Sequence, residues 1–313
     1  MRPIIIGPRR QECVDARCFQ STISRGAPLC YRFYAAMIPV ILRLGPITIY
    51  SYGLMMAFGF IAGDLLLTRE CRRRGYNPEV ASAVVVWGAI GGIVGARIYD
   101  VADNWSSYAA HPAAIAFSGA GFVWYGGLIG GIIATWLVAR RYGLAFLTVA
   151  DMCAPALALG QAFGRMGCQL SGDGDWGLPS KLPWAMAYPK AIVGWNADTV
   201  LRLNAHDQLV SGFYPGVRVH PTPIYEAILY VLIFLALWSC RKKAAFQGQL
   251  LYMYLIFAGA ERFVVEFLRI NPRVFWGLSE AQPISIAMMA GGAAAWYGSA
   301  ARQPYAEHEA VQA

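Results

Sequence analysis

Long apolar runs alternate with short polar links along most of this chain, and the runs are longer than the strands of a soluble sheet. A helix rising 1.5 Å per residue crosses the hydrocarbon core of a bilayer in about 20 residues. Seven stretches of about that length occur: Ile47–Thr68, Val80–Val101, Phe122–Ala139, Phe146–Gly167, Pro223–Cys240, Leu250–Leu268 and Pro283–Ala300. Glu261, Arg262 and Glu266 interrupt the sixth, and the last is rich in Gly and Ala. The pattern predicts an all-α, polytopic membrane protein with about seven transmembrane helices.

The links set the orientation. Arg69, Arg72, Arg73 and Arg74 fill the first, Arg140 and Arg141 the third, and Arg241, Lys242 and Lys243 the fifth. Lys and Arg collect on the cytosolic side of membrane proteins, so the N-terminus is expected outside and the C-terminus in the cytosol. The second link has Asp103 and neither Lys nor Arg. The fourth, about residues 168–222, mixes acidic and basic residues with Pro179, Pro183, Pro221, Trp184, Tyr188 and Trp195. Aromatics favour the membrane–water interface, and this link reads as a small extracytoplasmic arm, partly helical, on the bilayer surface. Residues 1–36 are rich in Arg and lack the apolar core of a secretory signal. Met37-Ile38-Pro39-Val40 leads directly into the first span. The leader is expected to be non-native, with Met37 the true start, or else a disordered tail. Residues 37–313 form one domain, with a short cytosolic tail from 301.

Composition agrees with this reading. Hydrophobic residues make up 57% and charged residues 14% of 313 positions, whereas soluble domains carry about 25% charged residues. That excludes a disordered chain, a collagen-like repeat and a disulfide scaffold. A formal charge of +8 could suggest nucleic acid, but the basic residues sit in links and form no stripe interleaved with aromatics, so no nucleic-acid partner is expected. Of the seven Cys, Cys13, Cys18 and Cys30 lie in the leader, Cys71 and Cys240 beside basic links, Cys153 inside an apolar run and Cys168 near the outer edge. There is no CxxC pair and no His/Cys cluster, so no metal is expected. No inverted repeat suggests a transporter.

Ionisable residues inside spans are costly, and are usually paired or functional. They are Asp64, Arg97, Asp151, Arg165, Glu226, Glu261, Arg262 and Glu266. Arg262 and Glu266 share a helix face, as a self-neutralising pair or as part of a site. Arg165 has no acidic partner in its own span. Two guanidiniums meeting near the outer leaflet would suit bidentate recognition of a phosphate. Asp64 and Asp151 lie nearer the cytosolic ends, where a merely interfacial role is equally open. The run Tyr125-Gly126-Gly127-Leu128-Ile129-Gly130-Gly131 either lets helices approach closely or leaves room for a lipid headgroup.

Gly164-Arg165-Met166-Gly167, with Gly172-Asp173 and Trp176-Gly177, resembles the signature of the prolipoprotein diacylglyceryl transferase family. Further matches follow in order: Gly45-Pro46 with Tyr52-Gly53-Leu54-Met55; the Tyr125 run, similar to a His-Gly-Gly-Leu-Ile-Gly stretch; Pro183-Trp184-Ala185-Met186; His220-Pro221-Thr222 with Tyr225-Glu226; and Arg262-Phe263-Val264-Val265-Glu266-Phe267-Leu268-Arg269. The resemblance covers about residues 45–300.

The resemblance implies a seven-span enzyme of the bacterial inner membrane, without metal or soluble cofactor. Such an enzyme transfers diacylglyceryl from phosphatidylglycerol to the lipobox Cys thiol of a prolipoprotein. It implies phosphate binding by Arg165 and Arg262, with Glu266 orienting Arg262 or helping proton movement. Tyr52 would touch the headgroup, and Asp173 would stand where the family has Glu. Gly126, Gly127, Cys168, Gly177, His220 and Glu226 complete the implied substrate contacts. The chain departs from the family at Tyr125, where the family has His, and at Cys168, where it has Asn. One residue is inserted near Asp173-Gly174-Asp175, so either carboxylate is the candidate equivalent. A family His base would have to be replaced by Tyr125, His220 or a carboxylate. The alternative is a phosphatidylglycerol-binding membrane protein without this activity, or a transferase to another acceptor.

Overall fold

Where no water reaches the backbone, its polar groups must satisfy one another, and a helix does so within one segment. The computed structural model describes residues 37–45, 47–110, 123–188, 191, 199–203, 209–213, 218–274 and 276–300, so the expected leader and the tail from 301 lie outside the described residues. The chain opens with an antiparallel hairpin, β1 (Val40–Leu44) and β2 (Ile47–Tyr50). The first helix was expected from Ile47. The alternating β-branched run Ile47-Thr48-Ile49 pairs with β1 instead, and α1 begins at Ser51 and ends at Arg73.

The remaining helices are α2 (Glu79–Asp103), the short α3 (Trp105–Ala110), α4 (Trp124–Arg141) and α5 (Phe146–Ser171). A second hairpin, β3 (Thr199–Leu203) and β4 (Leu209–Phe213), follows in the arm. The arm was expected to be partly helical; its described residues are strands, bridges and turns. α6 (Thr222–Cys240), α7 (Gln249–Val265), a 3-10 turn (Glu266–Leu268) and α8 (Ala281–Ala300) complete the described chain. Helices α1, α2, α5 and α6 are long and apolar enough to cross a membrane. Their outward faces are apolar as well, with Ile61, Leu65, Ile98 and Leu232 all more than half exposed. In water such surface would be a liability; against lipid tails it is not. The protein is a multi-pass membrane protein.

α5 is the central helix, packed against α1, α6 and α7, while α4 packs on α2 and α8 on α7. Small side chains bring the neighbours close: Ala150, Ala154, Ala158 and Ala162, four residues apart, are all buried on α5. The α2–α4 contact is tighter still. A Cβ placed on Gly91 would stand 2.6 Å from Ala134 Cβ and 2.7 Å from the Gly130 carbonyl oxygen. Gly126 meets Gly95 and Tyr99 in the same seam, and a Cβ on Gly127 would lie 3.3 Å from the Gly92 carbonyl oxygen. The structure therefore places Gly126 and Gly127 in a close helix–helix seam.

Two charges expected near the cytosolic ends are also accounted for. Asp64 accepts a hydrogen bond from the Ser82 hydroxyl at 2.8 Å, joining α1 to α2. Asp151 is fully buried and not merely interfacial. Its carboxylate accepts the Gly248 N–H at 2.8 Å and the Leu251 N–H at 3.0 Å. It thus caps the N-terminus of α7 from across the bundle, where negative charge and free N–H groups meet. At the basic end, buried Glu70 gathers Arg73, Arg74 (Nε at 2.8 Å) and Arg241 (Nε at 3.7 Å), tying α1 to the end of α6.

Candidate functional site

The opposite end of the bundle is built where the arm is stitched to three helices. α5 stops at Gly172, whose φ of +64° is left-handed, so the chain folds back over its own helix end. The Gly177 N–H donates to the His220 carbonyl at 2.8 Å, the Leu178 N–H to the Leu268 carbonyl at 2.8 Å, and the His220 N–H to the Leu178 carbonyl at 3.0 Å. Gly177 also bridges Arg269 as an isolated antiparallel pair. A Cβ on Gly177 would lie 2.8 Å from Thr222 Cγ2 and 2.9 Å from His220 Cβ, so only glycine fits. The Thr222 hydroxyl donates to the Asp175 carbonyl at 2.6 Å. Trp176 stacks on Tyr188 at 4.7 Å, and the Tyr188 hydroxyl donates to Gln169 of α5 at 2.7 Å. These contacts carry Asp175 to the ends of α5, α6 and α7.

Three guanidiniums and three carboxylates meet there. Glu226 on α6 is the hub and is fully buried. Its carboxylate takes Arg165 Nε at 2.6 Å, Arg262 Nη1 at 3.2 Å and Arg269 Nη1 at 2.8 Å. Asp175 pairs with both Arg165 and Arg269. Glu266 takes Arg262 Nη2 at 3.0 Å and the Asn271 amide at 2.6 Å, with Arg269 Nε 3.9 Å away. Charge-assisted pairs of this kind are strong and directional. Exposure divides the cations: the Arg165 and Arg262 side chains are each 25% exposed, Arg269 only 6%. Arg165 and Arg262 can therefore reach a ligand, while Arg269 holds Asp175 and Glu226 in place.

The structure thus brings together Arg165, Arg262, Glu266 and Glu226, all singled out from sequence. Arg269 was quoted in a motif and given no role. The available signal was its spacing, residues 262, 266 and 269 recurring three and four apart, although the α-helix ends at Val265 and Arg269 stands in extended backbone. Of the two candidate carboxylates after the insertion, Asp175 is the one on the arginines. Asp173 lies beside Cys168, and the Cys168 thiol with the Asp173 and Asp175 carboxylates forms a set of ligand atoms within 4.8 Å of one another. Such a set could hold a cation, but both Asp175 oxygens are already bound to guanidiniums.

The two aspartates are tuned apart. Burial raises the Asp173 carboxyl above the ordinary carboxylate range, and the nearby Asp175 charge adds to it. Burial acts on Asp175 too, but Arg269 and Arg165 outweigh it and hold that carboxyl below the ordinary range. Of the two, Asp175 is the one whose charged form its arginines favour, and Asp173 is the more readily protonated.

Tyr52, in the first turn of α1, is 41% exposed. Its ring abuts α5, so that a Cβ on Gly167 would lie 3.1 Å from Tyr52 Cδ2. Cys168 is buried. His220 Nδ1 lies 3.3 Å from the Tyr225 hydroxyl, and partial burial lowers its pKa, favouring the neutral imidazole. No recorded ion pair joins His220 to the arginines among the described residues. Tyr125 is 42% exposed, packs edge-on against Trp124 at 5.4 Å, and lines an open, mostly apolar cleft of about 640 Å³ with Trp276, Leu278, Glu280, Pro283, Ile284 and Ile286. Among the described residues, no hydrogen bond or ion pair connects Tyr125 with the cluster.

Curated relatives match this chain in sequence over most of their length. A phosphatidylglycerol–prolipoprotein diacylglyceryl transferase of Clostridium tetani is 34% identical over 239 residues, covering 76% of this chain and 87% of that protein. The enzyme of the same name from Gloeobacter violaceus is 33% identical, over 83% of this chain and 92% of its own. That from Nitratidesulfovibrio vulgaris is 36% identical, over 75% and 82%. With the family's sequence model also matching residues 39–298, the chain belongs to the prolipoprotein diacylglyceryl transferase family.

Proposed function

We propose that this protein transfers the diacylglyceryl group of phosphatidylglycerol to the lipobox cysteine thiol of a prolipoprotein and releases glycerol phosphate. One observation carries the reading. Arg165 and Arg262, from different helices, meet on a single buried carboxylate, each with part of its side chain still open. Two partly open guanidiniums fixed on one carboxylate suit a phosphodiester, and their charge is worth most where water is excluded. The names of the relatives, which include both substrates, support the same reading.

The chemistry is a displacement at a glycerol carbon. The acceptor sulfur forms the new C–S bond as the C–O bond to phosphate breaks. The electron pair leaves on the phosphate oxygen, where Arg165 and Arg262 stabilise it. Glu266 and Arg269 position Arg262 and the hub carboxylate. Asp173, which lies beside Cys168 and makes no ion pair with the arginines among the described residues, accepts the thiol proton. Tyr52 contacts the headgroup, and Gly177 lets the arm close over the site. Tyr125 is part of the cleft wall, where apolar chains lie.

In this reading α1, α2, α4, α5, α6, α7 and α8 are seven spans of the bacterial inner membrane. The N-terminus and the arm lie outside and the C-terminus in the cytosol. The Arg and Lys clusters in alternate links support that orientation. Expression of the full chain in cells depleted of their own transferase tests the function: diacylglyceryl-modified prolipoprotein, detected by mass spectrometry, is the expected product. A membrane-inserted protein that binds phosphatidylglycerol but yields no modified acceptor would instead favour the binding-only alternative, which the Tyr125 and Cys168 departures motivate.

A further inference from the structure

One ionisable group beside the cluster has no part in the chemistry above. Glu261 precedes Arg262 on α7 and is only 6% exposed. Neither of its carboxyl oxygens makes a hydrogen bond, and no guanidinium lies within ion-pair distance of it among the described residues. Each cation nearby is already committed: Arg165 to Glu226 and Asp175, Arg262 to Glu226 and Glu266, and Arg269 to all three. The groups that act on Glu261 can be named element by element. α5 brings Arg165, α6 brings Glu226 and Tyr230, and α7 itself brings Arg262 and Tyr254. α8 packs on the same stretch of α7 through Ser285, Met288 and Met289 against Gly259 and adds no charge there. An ionised carboxylate in this position would have no free cation, and only the neighbouring Tyr230 hydroxyl of α6 as a donor, to compensate its desolvation.

We propose that Glu261 is a positioning residue that sets the charge of the arginine cluster: it carries a proton when phosphate is bound, and its ionisation weakens the site's hold on phosphate. The inference rests on the phosphatidylglycerol reading. Three guanidiniums already balance Asp175, Glu226 and Glu266, so an entering phosphodiester adds a negative charge to a set with no surplus cation. A neutral Glu261 lets Arg165 and Arg262 turn part of their field toward the lipid. An ionised Glu261 competes for the same two cations. Linkage fixes the sign: if phosphate binds better to the protonated form, affinity falls as pH rises through the Glu261 titration. Asp173 titrates in both wild type and a Glu261 variant, so the difference between the two isolates Glu261.

The test uses the detergent-solubilised full chain, with short-chain phosphatidylglycerol titrated by calorimetry across a pH series. Wild-type affinity is expected to fall by roughly tenfold more than that of E261Q over the series, the order of a single charge–charge interaction at an effective dielectric of about 20. E261Q, which mimics the protonated acid, is expected to keep the low-pH affinity of wild type. Infrared spectra of lipid-bound wild type at the low end of the series should show the carbonyl band of a protonated acid, shifted by ¹³C-glutamate labelling and missing from E261Q. Should E261Q fail to fold, the labelled band in wild type still decides, and its absence overturns the inference. Identical pH profiles for wild type and E261Q overturn this inference alone. No phosphatidylglycerol binding by either protein at any pH overturns the reading of function and this inference with it.

Discussion

Two buried glutamates, at opposite ends of the bundle, each collect three arginines, and they differ in how those arginines arrive. Glu70 takes Arg73 and Arg74 from its own helix end and Arg241 from the end of α6. Two of its three partners are sequence neighbours, so the pairing is nearly complete when α1 forms. Glu226 takes Arg165 from α5, Arg262 from α7 and Arg269 from the segment beyond it, with partners 61, 36 and 43 residues away. It is satisfied only when three elements have docked. Asp175, from the arm, then ties Arg165 to Arg269 a second time. The Glu70 cluster rivets two helix ends, whereas the Glu226 cluster is a site whose geometry reports that the whole fold is in place.

The sharpest way to break the comparison is to neutralise each hub. E226Q leaves three guanidiniums crowded without their shared anion. It is expected to abolish measurable transfer and to lower stability by about 3–5 kcal/mol, the usual cost of removing one partner from a buried pair, read as thermal unfolding in detergent. E70Q is expected to leave transfer unchanged, with a stability cost toward the low end of that range, since the Glu70 and Arg74 side chains are buried but Arg73 is a third exposed. Equal losses for the two variants would erase the distinction between rivet and site.

Removing one cation comes next. R165A and R262A are each expected to slow diacylglyceryl transfer by about 10²–10³-fold, the range for losing one preorganised charge-stabilising donor. R262K should recover little, because a lysine cannot span Glu226 and Glu266 with two nitrogens as Arg262 does. Initial rates with labelled phosphatidylglycerol distinguish these from a folding defect if unfolding temperatures are measured beside them.

D173N is expected to lower transfer by about 10²-fold, the low end of what a general base contributes. The two aspartates should then separate by pH. The Asp173 carboxyl is raised in the folded state, so its contribution favours the fold below its unfolded value and is lost as pH rises through the folded one. D173N should therefore be at least as stable as wild type at neutral pH. Asp175 is lowered, so its contribution is present above its unfolded value and is lost as pH falls through the folded one. D175N should be destabilised at neutral pH and converge on wild type in acid. Unfolding curves from acid to neutral pH check both signs. The smallest effect is expected from Y125F, with turnover within about twofold of wild type, far below the 10²–10⁴-fold range of a lost base. A larger loss would return Tyr125 to the chemistry.

Much of this was legible in the sequence because the relevant signals are local. Apolar runs separated by basic links announce helices wherever a backbone must satisfy itself, and the isolated charges on them stood out by their cost. Arg165, Arg262 and Glu266 were visible for that reason. The four residues Ile47–Tyr50 were misassigned to the first helix because so short an alternation, running straight into a helix, reads as that helix's first turn. Their partner strand, Val40–Leu44, decides the matter. Glu226 looked like a contact for substrate, yet it proves to be a hub, because a single sequence does not show which cations converge on a carboxylate. The choice between Asp173 and Asp175 was hidden for the same reason: it depends on the stitch between Gly177, Thr222 and Arg269, contacts made across 45 residues or more. The close packing of Gly126 on Gly95 and of Gly127 on Gly92 was not legible either, because glycine spacing does not name the neighbouring helix.

The cap that Asp151 places on α7 bears on how the protein is made. α7 is 17 residues long and carries Glu261 and Arg262, which leaves it a weak candidate to enter a bilayer by itself. Its first N–H groups find their acceptor on a helix synthesised about a hundred residues earlier. Because α5 precedes α7 in the chain, the acceptor is made before the N–H groups that need it, and a chain ending before α7 would carry a buried carboxylate without its donors.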